Sequence, residues 1–559
     1  MSRRARTNVI VLLGYTAIAF LYFGVRLVSH PGRFILGSGR DPQIFIWSFA
    51  WWPHAIGTWQ NPFFTHAIYA PDGINLAWTT SVPALALVFT PLTLLFGPVA
   101  SYNVAALLMP ALSAWTAYLL CRHVTGSHRA SLVGGYLFGF SSYMLGEQLG
   151  HLHMTAVFLV PLAALAVVRH LQGELEARGL VLRLGALLGL QFWISSEVLF
   201  TLTFALLVSL ALAYGLLREL RPRLRGLAGP LAGAYALSAV VAGPLAVYAL
   251  LYFQSGSINS PPLFDGDLLN FVVPTHLIAA GGSAFSGLTS HFRSSDTERG
   301  AYLGLPTLLI AGWYAVSERR SQTARFLLGA LALAALATLG SGLAIEGRIR
   351  LWLPWSLLVH APIFDNVLPV RFALFGSLAA SVIVAAWTAS RRGWSRWLLP
   401  ALAVAAIVPA LWRADYRTTP ERWPFFTSGT YKLCIPRNEN VAIFPYGFWG
   451  NSMLWQAETG FWFRMADGYL RPKPPAANLE DPTIQELTYT TDNPTPAQIL
   501  ELARNKQVDR VLSVDIYVHP NGTQMHRFGA VQDTGGVLVA PACGYPSLRK
   551  GVHPTAAHP

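Results

Sequence analysis

Residues 81–96, SVPALALVFTPLTLLF, decide how this chain threads a membrane. If the stretch crosses, every later loop changes sides, and the clusters Arg122/Arg129, Arg169/Arg178/Arg183, Arg218/Arg221/Arg223/Arg225, Arg319/Arg320/Arg325 and Arg391/Arg392/Arg396 no longer share one face. If it lies in or dips into one leaflet, all of them join Arg3, Arg4 and Arg6 inside, as the positive-inside bias requires. Its 16 residues, interrupted by Pro83 and Pro91, fall short of the roughly 20 needed to span. The stretch therefore reads as interfacial or re-entrant.

Working outward, 53% of the 559 residues are hydrophobic and only 12% charged, too little polar surface for a soluble fold of this size. Apolar runs at 8–28, 101–120, 130–146, 154–170, 184–195, 198–217, 227–253, 301–316, 324–343, 369–389 and 397–412 give an expectation of eleven spans. The run 184–195 is short, because Ser195, Ser196 and Glu197 interrupt it. The first run lacks a small-residue cleavage site after it and reads as a retained anchor, not a signal peptide. The net charge of +13 follows from the arginine-rich inner loops, so no nucleic-acid partner is implied.

This threading puts the N-terminus in the cytoplasm and the long loops 29–100, 254–300 and 344–368 outside, together with the C-terminus. The chemistry is expected on that outer face, away from ATP and nucleotide sugars. Residues 1–412 form the membrane part, and 413–559 read as a small soluble α/β domain carrying all four lysines. Strands are expected at 441–444, 511–514 and 537–540, and a helix at 496–506. Cys434 and Cys543 both fall in this outer part and are candidates for a disulfide, worth about 4 kcal/mol for so long a loop, although nothing in the sequence fixes their distance.

The first outer loop opens with residues 39–47, GRDPQIFIW, which place Asp41 at the outer mouth of the bundle. A carboxylate there can have its pKa raised toward usefulness and accept a proton from a hydroxyl nucleophile. It can equally cap the helix that begins at Pro42. Residues 147–154, EQLGHLHM, form the second outer loop, where Glu147, His151 and His153 either line a functional cavity or sit solvated at the boundary. Arg371, in residues 369–372, stands at the outer start of a span against the usual bias; it either binds phosphate through two parallel hydrogen bonds, or meets lipid headgroups or Asp365. Asp265 and Asp267 resemble a turn more than a ligand pair. His66, Tyr69 and Asn75 fit a sugar-binding rim, with Asp72 beside them.

The first span, the Asp41 loop, the helix-like stretch 43–59, residues 61–73 (NPFFTHAIYAPDG), the juxtamembrane stretch and the outer C-terminal part together resemble the GT-C superfamily of polyprenyl-phosphate-dependent glycosyltransferases. That superfamily includes oligosaccharyltransferase catalytic subunits, protein mannosyltransferases and aminoarabinose transferases. The likeness is architectural and covers most of the membrane part. It implies a GT-C-like helical bundle in the plasma (inner) membrane that moves a sugar from a polyprenyl-phosphate donor to a glycan, lipid or protein acceptor.

By resemblance Asp41 is the catalytic base, Glu147 a second active-site acid, and Arg371 the cation on the donor phosphate; His66, Tyr69, Asp72, Asn75, His151 and His153 contact substrate. No Asp-x-Asp or Asp-Glu pair accompanies Asp41, so the expectation is a metal-independent enzyme without a cofactor. A lipid-linked-glycan transporter or polymerase-like protein is the alternative. Transporters usually carry inverted repeats and charges near the membrane centre, whereas here the polar residues gather at one face.

Overall fold

The computed structural model describes residues 3–29, 34–251, 261–361, 364–411, 416–420, 423–470, 475–490, 495–513 and 538–540. Among these, eight helices are long and apolar enough to cross a membrane: Arg3–Val28, Pro98–Thr125, Leu152–Leu171, Ala177–Ile194, Ser196–Leu216, Ala228–Leu251, Gln322–Leu339 and Pro369–Ser390. The protein is a multi-pass membrane protein. Three of the eleven expected spans correspond to shorter helices, His128–Gly139 (continued by Ser142–Glu147), Leu305–Ser317 and Ser395–Ala406. At 1.5 Å per residue, a helix of 12 or 13 residues covers about 20 Å, less than the hydrocarbon thickness. The run that looked shortest instead belongs to a helix of 18 residues, Ala177–Ile194.

The stretch 81–96 forms two short helices, Pro83–Val88 and Thr90–Phe96. Pro91 has no N–H to give the Leu87 carbonyl, so the ladder breaks at Phe89. Neither piece is long enough to cross. The pair rests on Asp41–Gly57 and Pro98–Thr125, with Ser101 and Thr93 hydrogen-bonded across the junction at 2.8 Å.

Because consecutive helices run up and down, segments 34–97, 148–151, 261–304 and 340–368 and the Ser195 turn meet at one end of the bundle. The arginine-bearing turns after Thr125, Leu171, Leu216, Ser317 and Ser390 lie at the other. The first end is knitted together locally: Ser38 N–H donates to the Leu149 carbonyl at 2.5 Å. Asp265 accepts from Ser341 N and Oγ and from Gly342 N, while Asp267 accepts from Leu269 N and Gly347 N. These two aspartates pin the hairpin of Gly342–Ile345 and Arg348–Trp352, in agreement with a turn role.

The C-terminal part holds a four-stranded sheet, in the order Leu538–Ala540, Arg510–Ser513, Asn440–Phe444, Arg464–Met465, with every pairing parallel. Asn440–Phe444 is buried throughout and reads NVAIF, as a strand covered on both faces should. The helix Pro496–Asn505 starts with a Thr495/Gln498 capping box and turns Ile499, Leu502 and Ala503 into the sheet. This part does not stand apart from the bundle. One hydrophobic core runs from Trp47 and Trp51 into Trp455 and Phe461, Trp47 Nε1 donates to Gln456 Oε1 at 2.7 Å, and Ile35–Leu36 pairs with Arg417–Thr418. Cys434 is buried, and Cys543 lies outside the described residues.

Candidate active site

Asp41 is the first residue of the helix Asp41–Gly57, with Pro42 behind it, and the flanking Arg40 makes no side-chain cap. The carboxylate is turned toward partners distant in sequence. Oδ1 accepts from Tyr469 Oη at 2.7 Å, and Oδ2 meets His151 Nε2 at 3.1 Å. Arg40 binds Asn451 and donates to the Trp449 carbonyl at 2.9 Å, which draws the C-terminal part over this helix start.

His151 bridges two acids. Its Nδ1 lies 2.6 Å from Glu147 Oε2 and 3.7 Å from Glu298 Oε1, while Nε2 faces Asp41. Ionised carboxylates only accept hydrogen bonds, so an imidazole held between two of them carries both protons. Burial alone would lower its pKa, but the hydrogen bonds to Asp41 and Glu147 raise it to about 10. Burial, helped by the nearby Glu298 charge, pushes Glu147 up to about 7. Burial also works to raise Glu298, but the Arg371 guanidinium outweighs it and holds Glu298 below its usual value.

Arg371 sits at the start of Pro369–Ser390, 9% exposed. Its Nε lies 3.1 Å from both Glu298 oxygens, Nη2 adds a bond to the same carboxylate, and Nη1 binds Glu197; Glu147 Oε1 lies 3.9 Å from Nε. Its partners are thus Glu298 and Glu197, not Asp365. Four carboxylates (Asp41, Glu147, Glu197 and Glu298) face two cations, leaving an excess of negative charge in a largely buried place. Such an excess is relieved by protons or by a metal ion.

Glu147, His151 and Glu298 offer ligand atoms within 4.8 Å of one another. Two carboxylates and an imidazole are a donor set that divalent cations accept, provided His151 gives up a proton. The expectation of a metal-free site rested on the missing Asp-x-Asp pair; this set is assembled from the second outer loop and a residue 147 positions beyond it, so no local motif announces it.

The remaining candidates divide. His153 is buried beside His151, its ring 5.6 Å from Phe45 and 5.9 Å from His151. The four first-loop residues, in contrast, make structural contacts. His66 Nδ1 meets the Pro71 carbonyl at 2.9 Å. Tyr69 Oη accepts from Leu470 N at 3.2 Å, Asp72 pairs with the buried Lys506 at 2.6 Å, and Asn75 donates to the Tyr248 carbonyl at 2.9 Å. His66 thus braces the loop internally, the other three hold it to its neighbours, and none of these bonds involves Asp41.

Glu197, Glu298 and Tyr469 were not expected as site residues. Glu197 left one signal, an acid at the break between two apolar runs. Glu298 and Tyr469 left none, since each lies in a polar segment with no periodicity around it.

This architecture is shared with solved structures. The apo oligosaccharyltransferase of Archaeoglobus fulgidus superposes with a TM-score of 0.51 at 15% identity, over 90% of this chain and 69% of that one. The oligosaccharyltransferase AglB of the same organism, in complex with an inhibitory peptide and a dolichol-phosphate, gives 0.51 at 13% identity, over 93% of this chain and 74% of that one. At such identities the likeness is one of fold, and the fold is GT-C. No curated protein matches the sequence. A family described as a domain of unknown function (DUF6311) matches residues 11–408, and the chain belongs to that family.

Proposed function

We propose that this DUF6311 protein is a GT-C glycosyltransferase that moves a sugar from a polyprenyl-phosphate carrier to an acceptor at the acidic end of its bundle. The observation that carries the reading is Asp41: its side chain, 32% exposed, is the most open carboxylate of the buried charge cluster, whereas Glu147 and Glu298 are 1% and 2% exposed. An acceptor hydroxyl reaches Asp41 before it reaches the others.

In this reading the hydroxyl oxygen attacks the anomeric carbon as its proton passes to Asp41. The bond from that carbon to the phosphate oxygen breaks, and its electron pair leaves with the phosphate. A positioned base contributes about 100 to 10,000-fold to such a step. Arg371 supplies positive charge on the phosphate side, where a phosphate oxygen replaces Glu197, the more exposed of its partners at 22% against 2% for Glu298. A divalent cation suits Glu147, His151 and Glu298, and when bound would neutralise charge on the leaving phosphate. The arginine-rich end then faces the cytoplasm and the acidic end the outside.

Purified protein in lipid nanodiscs, given radiolabelled polyprenyl-phosphate monosaccharides and a membrane extract as acceptor source, should release free polyprenyl phosphate and label the extract. Failure with every donor of the panel, by protein that is folded, overturns the reading.

A further inference from the structure

The sugar rim expected on the first outer loop is occupied by structural contacts, and a different aromatic group stands beside Asp41. Resting on the glycosyltransferase reading, we propose that segment 445–470 forms the acceptor subsite, with Phe448 and Trp449 as its platform, and that its occupant is a carbohydrate.

Tyr469 ties this segment to the reacting carboxylate through the 2.7 Å bond to Asp41 Oδ1. The Phe448 ring stands edge-on to Tyr469 at 5.1 Å, and Trp449 packs edge-on to Phe448 at 5.4 Å. Phe448 and Trp449 are both half-buried residues, so each keeps some surface for a ligand. The segment is fixed in place: Arg40 binds the Trp449 carbonyl, and Asn451 Oδ1 accepts from Arg40 and from Gln43. Aromatic surface beside the reacting carboxylate suits a sugar, whose C–H face is apolar and whose hydroxyl edge can then meet Asp41.

An extended peptide has no comparable purchase here. Peptides commonly add as a strand to an open sheet edge, and the edge leading to Tyr469 is taken. Met465 N donates to the Ala67 carbonyl at 2.8 Å, Ala70 N to Met465 at 2.9 Å and Tyr69 N to Asp467 at 3.1 Å. Gly468 keeps this cover close, since a Cβ there would lie 2.8 Å from the Tyr69 ring. Tyr469 itself acts as a positioning residue, orienting Asp41 toward the acceptor.

The test is saturation-transfer NMR on the full chain in nanodiscs, with short neutral oligosaccharides of pyranose and furanose rings, and with uncharged peptides. Oligosaccharides should show transfer and peptides none. Trp449→Ala should weaken oligosaccharide binding about tenfold or more, and Trp449→Phe should restore most of it. Tyr469→Phe should leave affinity intact and lower kcat. If Trp449→Ala fails to fold, Phe448→Leu makes the same comparison. Peptide binding in place of sugar, or unchanged sugar affinity in the folded Trp449 and Phe448 variants, overturns the proposal. Donor consumption in the same samples separates the two claims: donor use without oligosaccharide binding sinks the subsite alone, whereas oligosaccharide binding with no donor use sinks the glycosyltransferase reading and leaves a carbohydrate site with no acceptor role.

Discussion

The first outer loop has two halves with similar polar residues and opposite uses. In residues 64–78, His66 meets a carbonyl of its own loop, while Tyr69 and Asp72 fasten the loop to the C-terminal part and Asn75 fastens it to Ala228–Leu251. In residues 40–57, Asp41 meets a histidine and a tyrosine and keeps about a third of its side chain open to solvent. What separates the halves is the network each joins: Asp41 belongs to one that runs through His151 to Glu147 and Glu298 and on to Arg371, whereas Asp72 is paired with Lys506 outside it.

The comparison breaks first at Asp41. Asp41→Asn keeps an oxygen for the Tyr469 hydroxyl and removes the proton acceptor, so transfer should fall about 100 to 10,000-fold while the melting temperature holds. Near wild-type turnover would move the base to another carboxylate and erase the distinction between the halves. Behind Asp41, Arg371→Ala leaves Glu298 and Glu197 without their guanidinium. Removing one partner of a buried pair costs about 3 to 5 kcal/mol, read as a large drop in melting temperature, and Arg371→Lys should fall between, because it keeps the charge and loses the fork. Equal melting of all three proteins would show the cluster to be compensated by water.

On the scaffold side, Asp467 is fully buried, and burial pushes its carboxyl up to about 6 despite bonds from Ser452 and Gly447. Its folded pKa lies above the unfolded value of about 3.9, so the stability it contributes is complete below that value and lost as pH rises through about 6. Asp467→Asn should therefore raise the melting temperature at neutral pH, with an upper bound of about 3 kcal/mol, and the gain should vanish near pH 4. A gain that does not depend on pH would assign the effect to packing.

The smallest expected change is at the fastening itself. Asp72→Asn leaves the buried Lys506 ammonium with Asn478 and weakens the loop by about 1 to 3 kcal/mol, with turnover per folded molecule unchanged. A loss of turnover at unchanged stability would bring Asp72 back into the site.

Legibility in the sequence followed the range of the interaction. Asp41, Glu147, His151 and Arg371 can be singled out in the sequence because each sits where an apolar run ends, a position readable from composition alone, and the structure brings the four together. Glu298 and Tyr469 escaped because their partners lie 73 and 428 residues away, with no periodic pattern to mark them. His66, Tyr69, Asp72 and Asn75 have side chains whose chemistry suits a sugar, but residue type does not say which neighbour satisfies a polar group first, and in the structure each bonds within the protein. The break between bundle and tail at 412 was a change of composition, and the shared core around Trp47 and Trp455 crosses it.

The sequence by itself determined the membrane class, the alternation of helices and the contrast between short arginine-bearing turns and long polar loops. Those follow from hydrophobic burial, which adds up residue by residue along each run. Only the tertiary structure decided which of the gathered groups touch: that His151 stands between Asp41 and Glu147, that Arg371 is held by Glu298 and Glu197, and that a tyrosine from the tail orients the open carboxylate. Hydrogen bonds and ion pairs weaken steeply with a misplacement of an ångström or a tilt of the donor, and positions that fine are set by packing across the whole fold.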